Sequence, residues 1–147
     1  MTSEEGATPL GPEERERLLA AAREAARAAY APYSGFKVGA ALLTRGGRLY
    51  TGCNVENASY GLSLCAERAA LAAAVRGEGG GRLKVRALAV VSEPAGPCPP
   101  CGACRQVLME LAPEALILFQ DREGPREIGA AQLLPHSFTL APPSPLP

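Results

Sequence analysis

The sequence has no tryptophan, only three phenylalanines and four tyrosines, and no surplus of either charge. Fifteen basic side chains meet fifteen acidic ones, so the net charge is zero. A protein that grips a polynucleotide backbone carries a basic stripe, commonly interleaved with stacking aromatics. Neither feature is in the sequence, which speaks against a nucleic-acid partner and for a small, nearly neutral substrate. No apolar run approaches the roughly 20 residues needed to span a bilayer, so no membrane partner is expected. Met1–Leu10 is polar and acidic and lacks the basic-then-apolar pattern of an export signal, so a cytoplasmic location is expected.

What is present points to one soluble domain and a metal. The 147 residues, 47% of them hydrophobic, suffice for a single core without cross-links. Five cysteines, an odd number without an export signal, argue against a disulfide framework. Three of them, Cys98, Cys101 and Cys104, crowd into one short stretch, which is metal-ligand spacing. Cys53, in a strand pattern, reads as a small buried apolar residue.

Along the chain, residues 1–10 read as a flexible lead. Pro12 with Glu13 and Glu14 opens a helix expected to run to about Tyr30, with Leu18, Leu19, Ala22, Ala26 and Ala29 as its apolar stripe. Phe36 to Leu43 and Leu49 to Cys53 read as a hairpin turned at Gly46-Gly47. After a polar loop, Cys65 to about Val75 is helical and Gly77 to Gly81 is a linker. Strands are expected at Leu83–Val91 and Leu116–Phe119, with a short fifth at Glu127-Ile128. Helices are expected at Gly102–Leu111 and Ala130–Leu134, and residues 141–147 form a Pro-rich tail. This order predicts an α/β fold, a three-layer α/β/α sandwich over a mixed sheet of about five strands, those after the hairpin parallel.

Two patterns carry chemistry. Cys65-Ala66-Glu67 and Pro100-Cys101-Gly102-Ala103-Cys104 both stand at helix starts. Residues two apart on a helix point about 200° from each other, so Cys65 and Glu67 can face one ion only beyond the helix N-terminus. The same placement suits Cys101 and Cys104, and two helix dipoles would then favour the thiolates. Three thiolates on one Zn²⁺ leave a net negative charge, which Arg68 is placed to relieve by hydrogen bonding to sulfur. Three protein ligands leave a fourth tetrahedral position for water, the mark of a catalytic zinc, and Glu67 beside it is the expected acid and base. His136, far from both patterns, is not expected to be a ligand.

These residues resemble the zinc nucleoside deaminases, whose sequence signature and mechanism are known for the class. The resemblance is closest to the cytidine deaminase family. Tyr33 to Ala41 is similar to that family's first strand, Gly52 to Ala58 to its ribose-binding segment, and Leu133 to Phe138 to its C-terminal element. The resemblance implies one zinc per chain on Cys65, Cys101 and Cys104, with Glu67 moving protons during hydrolytic deamination of cytidine and deoxycytidine. It implies that Asn54 and Glu56 bond the sugar 3′-hydroxyl, that Phe36 lines the base pocket and that the backbone near Ala66 reads the pyrimidine edge. The three-cysteine branch is homotetrameric, which implies that Phe138, Ala58 and Tyr60 reach a neighbouring subunit's site.

Other readings remain open from sequence. Phe36 and Phe138 could be packing residues, Asn54 and Glu56 turn-formers, and Arg68 half of a surface ion pair. Cys98-x-x-Cys101 competes with Cys101-x-x-Cys104 for the metal; Pro99 and Pro100 favour the latter by holding Cys98 in the loop. A deaminase of a nucleoside antibiotic such as blasticidin S would share the chemistry, and a zinc-stapled interaction module would share only the metal.

Overall fold

The computed structural model describes residues 9–140. Helix α1 (Pro12–Arg27) buries Leu18, Ala22 and Ala26. It ends three residues short of Tyr30 because the Tyr30 backbone is used elsewhere: its N–H donates to the Asn54 carbonyl and its carbonyl accepts from Glu56. Strands β1 (Lys37–Thr44) and β2 (Leu49–Cys53) form the expected hairpin, turned through Gly47 at φ 89°. Helix α2 (Ala66–Glu78) outruns the expected end and stops at Gly79, whose left-handed φ of 91° suits glycine. Gly77 lies within this helix, where the Tyr50 ring occupies the space a side chain would take.

The remaining strands and α-helices among the described residues are β3 (Val85–Glu93), α3 (Gly102–Leu111), β4 (Leu116–Asp121), β5 (Gly124–Gly129) and α4 (Ala130–Leu133). The five strands form one mixed sheet in the order β2-β1-β3-β4-β5. Only β3 and β4 pair in parallel. The expectation that β5 would follow suit is corrected: it is antiparallel to β4. The connection is too short for a crossover, because the Asp121 carboxylate accepts from the N–H groups of Glu123 and Gly124 and closes a tight turn.

Alternation along β1 divides the core into two layers. Val38, Ala40 and Leu42 face α2 and α3, meeting Ala66, Ala70, Leu71 and Leu108. Ala41 and Leu43 face α1, meeting Leu18 and Ala22. Leu10 belongs to the second layer, only 6% exposed, and the Pro9 carbonyl accepts from Arg86. Pro9 and Leu10, expected in a flexible lead, are therefore packed against the fold. Residues 1–8 and the tail 141–147 lie outside the described residues.

Two glycines let helices sit close on the sheet. A side chain at Gly39 would strike the α1 backbone at Ala22 and Ala26. One at Gly52 would strike the α2 backbone at Ala66 and Ala70, so this contact sets where the α2 N-terminus lies.

Candidate metal centre and active site

Cys65 is the N-cap of α2 and Cys101 the N-cap of α3, both with extended backbone. Cys104 is buried in the first turn of α3. The sulfurs of these three residues lie within 4.8 Å of one another, and Cys65 Sγ stands 3.9 Å from Cys101 Sγ. The first N–H groups of a helix have no partner within it and carry the positive end of its dipole. Two such ends therefore converge on one sulfur cluster.

Local pairing holds both ends in place. Val55 and Leu64 exchange two backbone hydrogen bonds of 2.9 Å, fixing the chain one residue before Cys65. On the other side, the Cys98 N–H donates to the Gln120 carbonyl and moors the loop leading to Cys101 on β4. Cys98 itself is buried outside the cluster, and burial pushes its thiol up to about 12. Cys53 is half-buried at the end of β2 and also stands apart, correcting its expected full burial.

Charge in the cluster is unevenly shared. A hydrogen bond from Cys104, aided by the Arg68 guanidinium, lowers the Cys65 thiol to about 5. The same bond, together with burial, raises Cys104. Arg68 Nη2 donates to Cys65 Sγ at 3.2 Å, the contact expected of a charge-relieving residue. Glu67 is 4% exposed. Burial raises its carboxyl, opposed by its own backbone N–H and reinforced by the Cys65 thiolate.

The segment after β2 is bound to the entrance of β1. Asn54 Oδ1 accepts from Val38 N–H at 2.8 Å, and Asn54 Nδ2 donates to the Phe36 carbonyl at 2.9 Å. Glu56 Oε1 accepts from the N–H groups of Tyr33 and Ser34, at 3.0 and 3.1 Å. Ser34 Oγ donates to Glu56 Oε2 and accepts from Phe36 N–H. Each polar side chain keeps spare capacity, a second amide proton on Asn54 and a free lone pair on Glu56. A recess of about 210 Å³ opens here, lined by Tyr33, Ser34, Glu56, Asn57, Tyr60 and Ser63. A second hollow, about 220 Å³, opens on the α1 face, but no cysteine lines it. Its rim arginines Arg15 and Arg126 already pair with Glu127 and Asp121.

Residues 12–120 match the family model described as the cytidine and deoxycytidylate deaminase zinc-binding region. The chain belongs to this deaminase family. It is 48% identical to a cytidine deaminase of Halalkalibacterium halodurans over 128 residues, 86% of this chain and 95% of that one. A Mycobacterium tuberculosis cytidine deaminase is 50% identical over 119 residues, 81% of this chain and 85% of that one. Among solved structures, the cytidine deaminase from Burkholderia pseudomallei aligns with a TM-score of 0.73 at 49% identity, covering 84% of this chain and 98% of that one. Like these relatives, the chain is a hydrolase of the deaminase family.

The donor set fits the family's zinc, one ion per chain. A tetrahedral zinc with sulfur bonds of about 2.3 Å sets sulfurs about 3.8 Å apart, and the Cys65–Cys101 separation is 3.9 Å. The deaminase fold thus brings together Cys65, Cys101, Cys104, Glu67 and Arg68, and separately Asn54, Glu56 and Phe36. Ala66 is fully buried as the first residue of α2. Phe36 is 48% exposed, so it is no core residue. Ala58 is exposed, and Tyr60 and Phe138 stand 79% and 73% exposed. His136 turns the chain in a left-handed conformation at φ 58° and is not part of the cysteine cluster. Sequence reasoning missed Ser34, although a serine just before a strand is a known turn-former. It also gave no role to Arg105, which follows Cys104 directly.

Proposed function

We propose that this enzyme hydrolyses the exocyclic amino group of free cytidine and deoxycytidine, giving uridine or deoxyuridine and ammonia, in pyrimidine salvage in the cytoplasm. The observation that carries this reading is Glu67, a carboxyl group buried at the α2 N-terminus two residues from Cys65 and raised by that burial. A buried carboxyl beside a cluster that accepts zinc suits proton transfer better than structure.

In this reading Cys65, Cys101 and Cys104 hold the ion and Arg68 offsets their negative charge. Zinc bound by these residues would supply the acidity that lets a water react near neutral pH. Glu67 is placed to take a proton from the attacking water and pass protons to ring N3 and to the departing amine, so one water is consumed for each ammonia released. The carboxyl's raised pKa favours both duties, because it must hold a proton midway through turnover. Ala66 offers its backbone to the pyrimidine edge, Phe36 covers the base, and Asn54 and Glu56 take the sugar 3′-hydroxyl with their spare capacity.

The assembly is a homotetramer in which Ala58, Tyr60 and Phe138 complete a neighbour's site. Supporting this, Tyr60, Leu62 and Phe138 are each more than 70% exposed, and Tyr33 meets Tyr60 edge-on at 6.5 Å. Large exposed apolar side chains grouped on a surface, as Tyr33, Tyr60 and Leu62 are, usually mark an interface. Purified protein mixed with cytidine should shift the ultraviolet spectrum toward uridine, and a chelator should abolish the change. Turnover of blasticidin S without turnover of cytidine would sink the substrate assignment. No turnover of either by zinc-replete protein would leave only a structural zinc.

A further inference from the structure

Arg105 is half-buried and makes no ion pair with any described residue. Both of its bonds go to backbone carbonyls. Nε donates to Pro100 at 2.9 Å, immediately before Cys101, and Nη1 donates to Leu133 at 3.0 Å. Leu133 is the last residue of α4, and its carbonyl is among those a helix leaves unsatisfied at its end. From that point the chain turns through His136 and runs to the exposed Phe138. One planar fork therefore spans the loop that delivers a cluster cysteine and the root of the segment that presents Phe138.

We infer that Arg105 is a positioning residue for segment 134–140: it anchors that segment to the metal-bearing loop and thereby sets where Phe138 is presented. The effect on substrate affinity rests on the proposed role of Phe138; the anchoring does not. Arginine suits the task because its donors diverge in a fixed plane, whereas a lysine ammonium is a point charge on a flexible stem. Both bonds are charge-assisted, and no second cation among the described residues reaches either carbonyl.

The test compares Arg105→Met, which keeps the stem and loses the donors, with Arg105→Lys, each alone and combined with Phe138→Ala. Zinc per chain, KM and kcat for cytidine, and amide hydrogen exchange of residues 134–140 are measured in the full-length protein. Arg105→Met should keep one zinc, speed exchange of 134–140 and raise KM about tenfold, the scale of one charge-assisted bond, with kcat within about twofold. Arg105→Lys should recover part of both effects. In the Phe138→Ala background the KM effect of Arg105→Met should vanish, because the two act through one contact. Unchanged exchange of 134–140 in Arg105→Met would overturn the anchor. So would zinc loss in both Arg105 variants, which would make the residue a support of the metal loop. A KM effect that persists in full beside Phe138→Ala would overturn the route to affinity. If Phe138→Ala alone leaves KM unchanged, the role of Phe138 fails, while the exchange result still decides the anchor.

Discussion

The Ser34 hydroxyl donates to one oxygen of the Glu56 carboxylate at 2.5 Å while the Ser34 and Tyr33 N–H groups fill the other oxygen. Glu56 is thus oriented by three donors from a single loop. Its pKa is lowered, first by the Ser34 hydroxyl and then by the Ser34 backbone. A carboxylate with a depressed pKa stays charged until the pH falls through that low value, and only then loses its accepting capacity. Ser34→Ala should therefore raise KM for cytidine several-fold and move the acid limb of kcat/KM to higher pH, with zinc content unchanged. A pH profile identical to the parent's would remove Ser34 from this role.

Glu67→Gln keeps the shape of the buried side chain and removes its proton chemistry. Turnover should fall by about 10²–10⁴-fold, the range for a positioned acid and base, while zinc stays bound. Metal analysis with single-turnover kinetics checks this. Near-parental kcat in that variant would mean Glu67 is only a helix-start carboxylate.

Cys98 and Cys101 separate the two spacings open in the sequence. Cys101→Ala should lose zinc and activity together, because two sulfurs remain of three. Cys98→Ser should keep one zinc per chain, since the Cys98 thiol stands outside the cluster. Its cost is confined to stability, about 1–3 kcal/mol for a buried hydroxyl without an assured partner. Loss of zinc in Cys98→Ser would reverse the ligand assignment.

Gly52 tests whether the centre depends on helix placement. A side chain there meets the α2 backbone at Ala66 and Ala70, beside Cys65 and Glu67. Gly52→Val should lower stability by about 1–3 kcal/mol and weaken zinc retention, although residue 52 is no ligand. Thermal unfolding with metal titration reads both. A zinc-replete variant of parental stability would show that α2 has room to move.

Much of the candidate centre is local and was therefore visible in the linear pattern. Helix starts at Cys65 and Cys101 follow from small and polar residues after loops, and cysteines at N-caps must face outward along the helix axis. The α3 bounds, the β2 bounds and the five strands came from periodicity and turn residues in the same way. Element ends were less legible where a distant partner decides them: α1 stops early because Asn54 and Glu56 engage the Tyr30 backbone, far away in sequence.

The sequence by itself determined which donors exist, that two helix starts carry them, and which carboxyl and guanidinium accompany them, because these are properties of neighbours along one chain. Only the tertiary structure decided that Cys65 and Cys101 stand 3.9 Å apart, that Cys98 is excluded, and that Ser34 and Arg105 hold other residues in place. Those facts depend on strand order, on the close approach allowed by Gly39 and Gly52, and on hydrogen bonds between distant residues, such as Arg105 to Leu133, 28 positions apart. No periodicity encodes such distances, since they arise only when separate elements pack against one another.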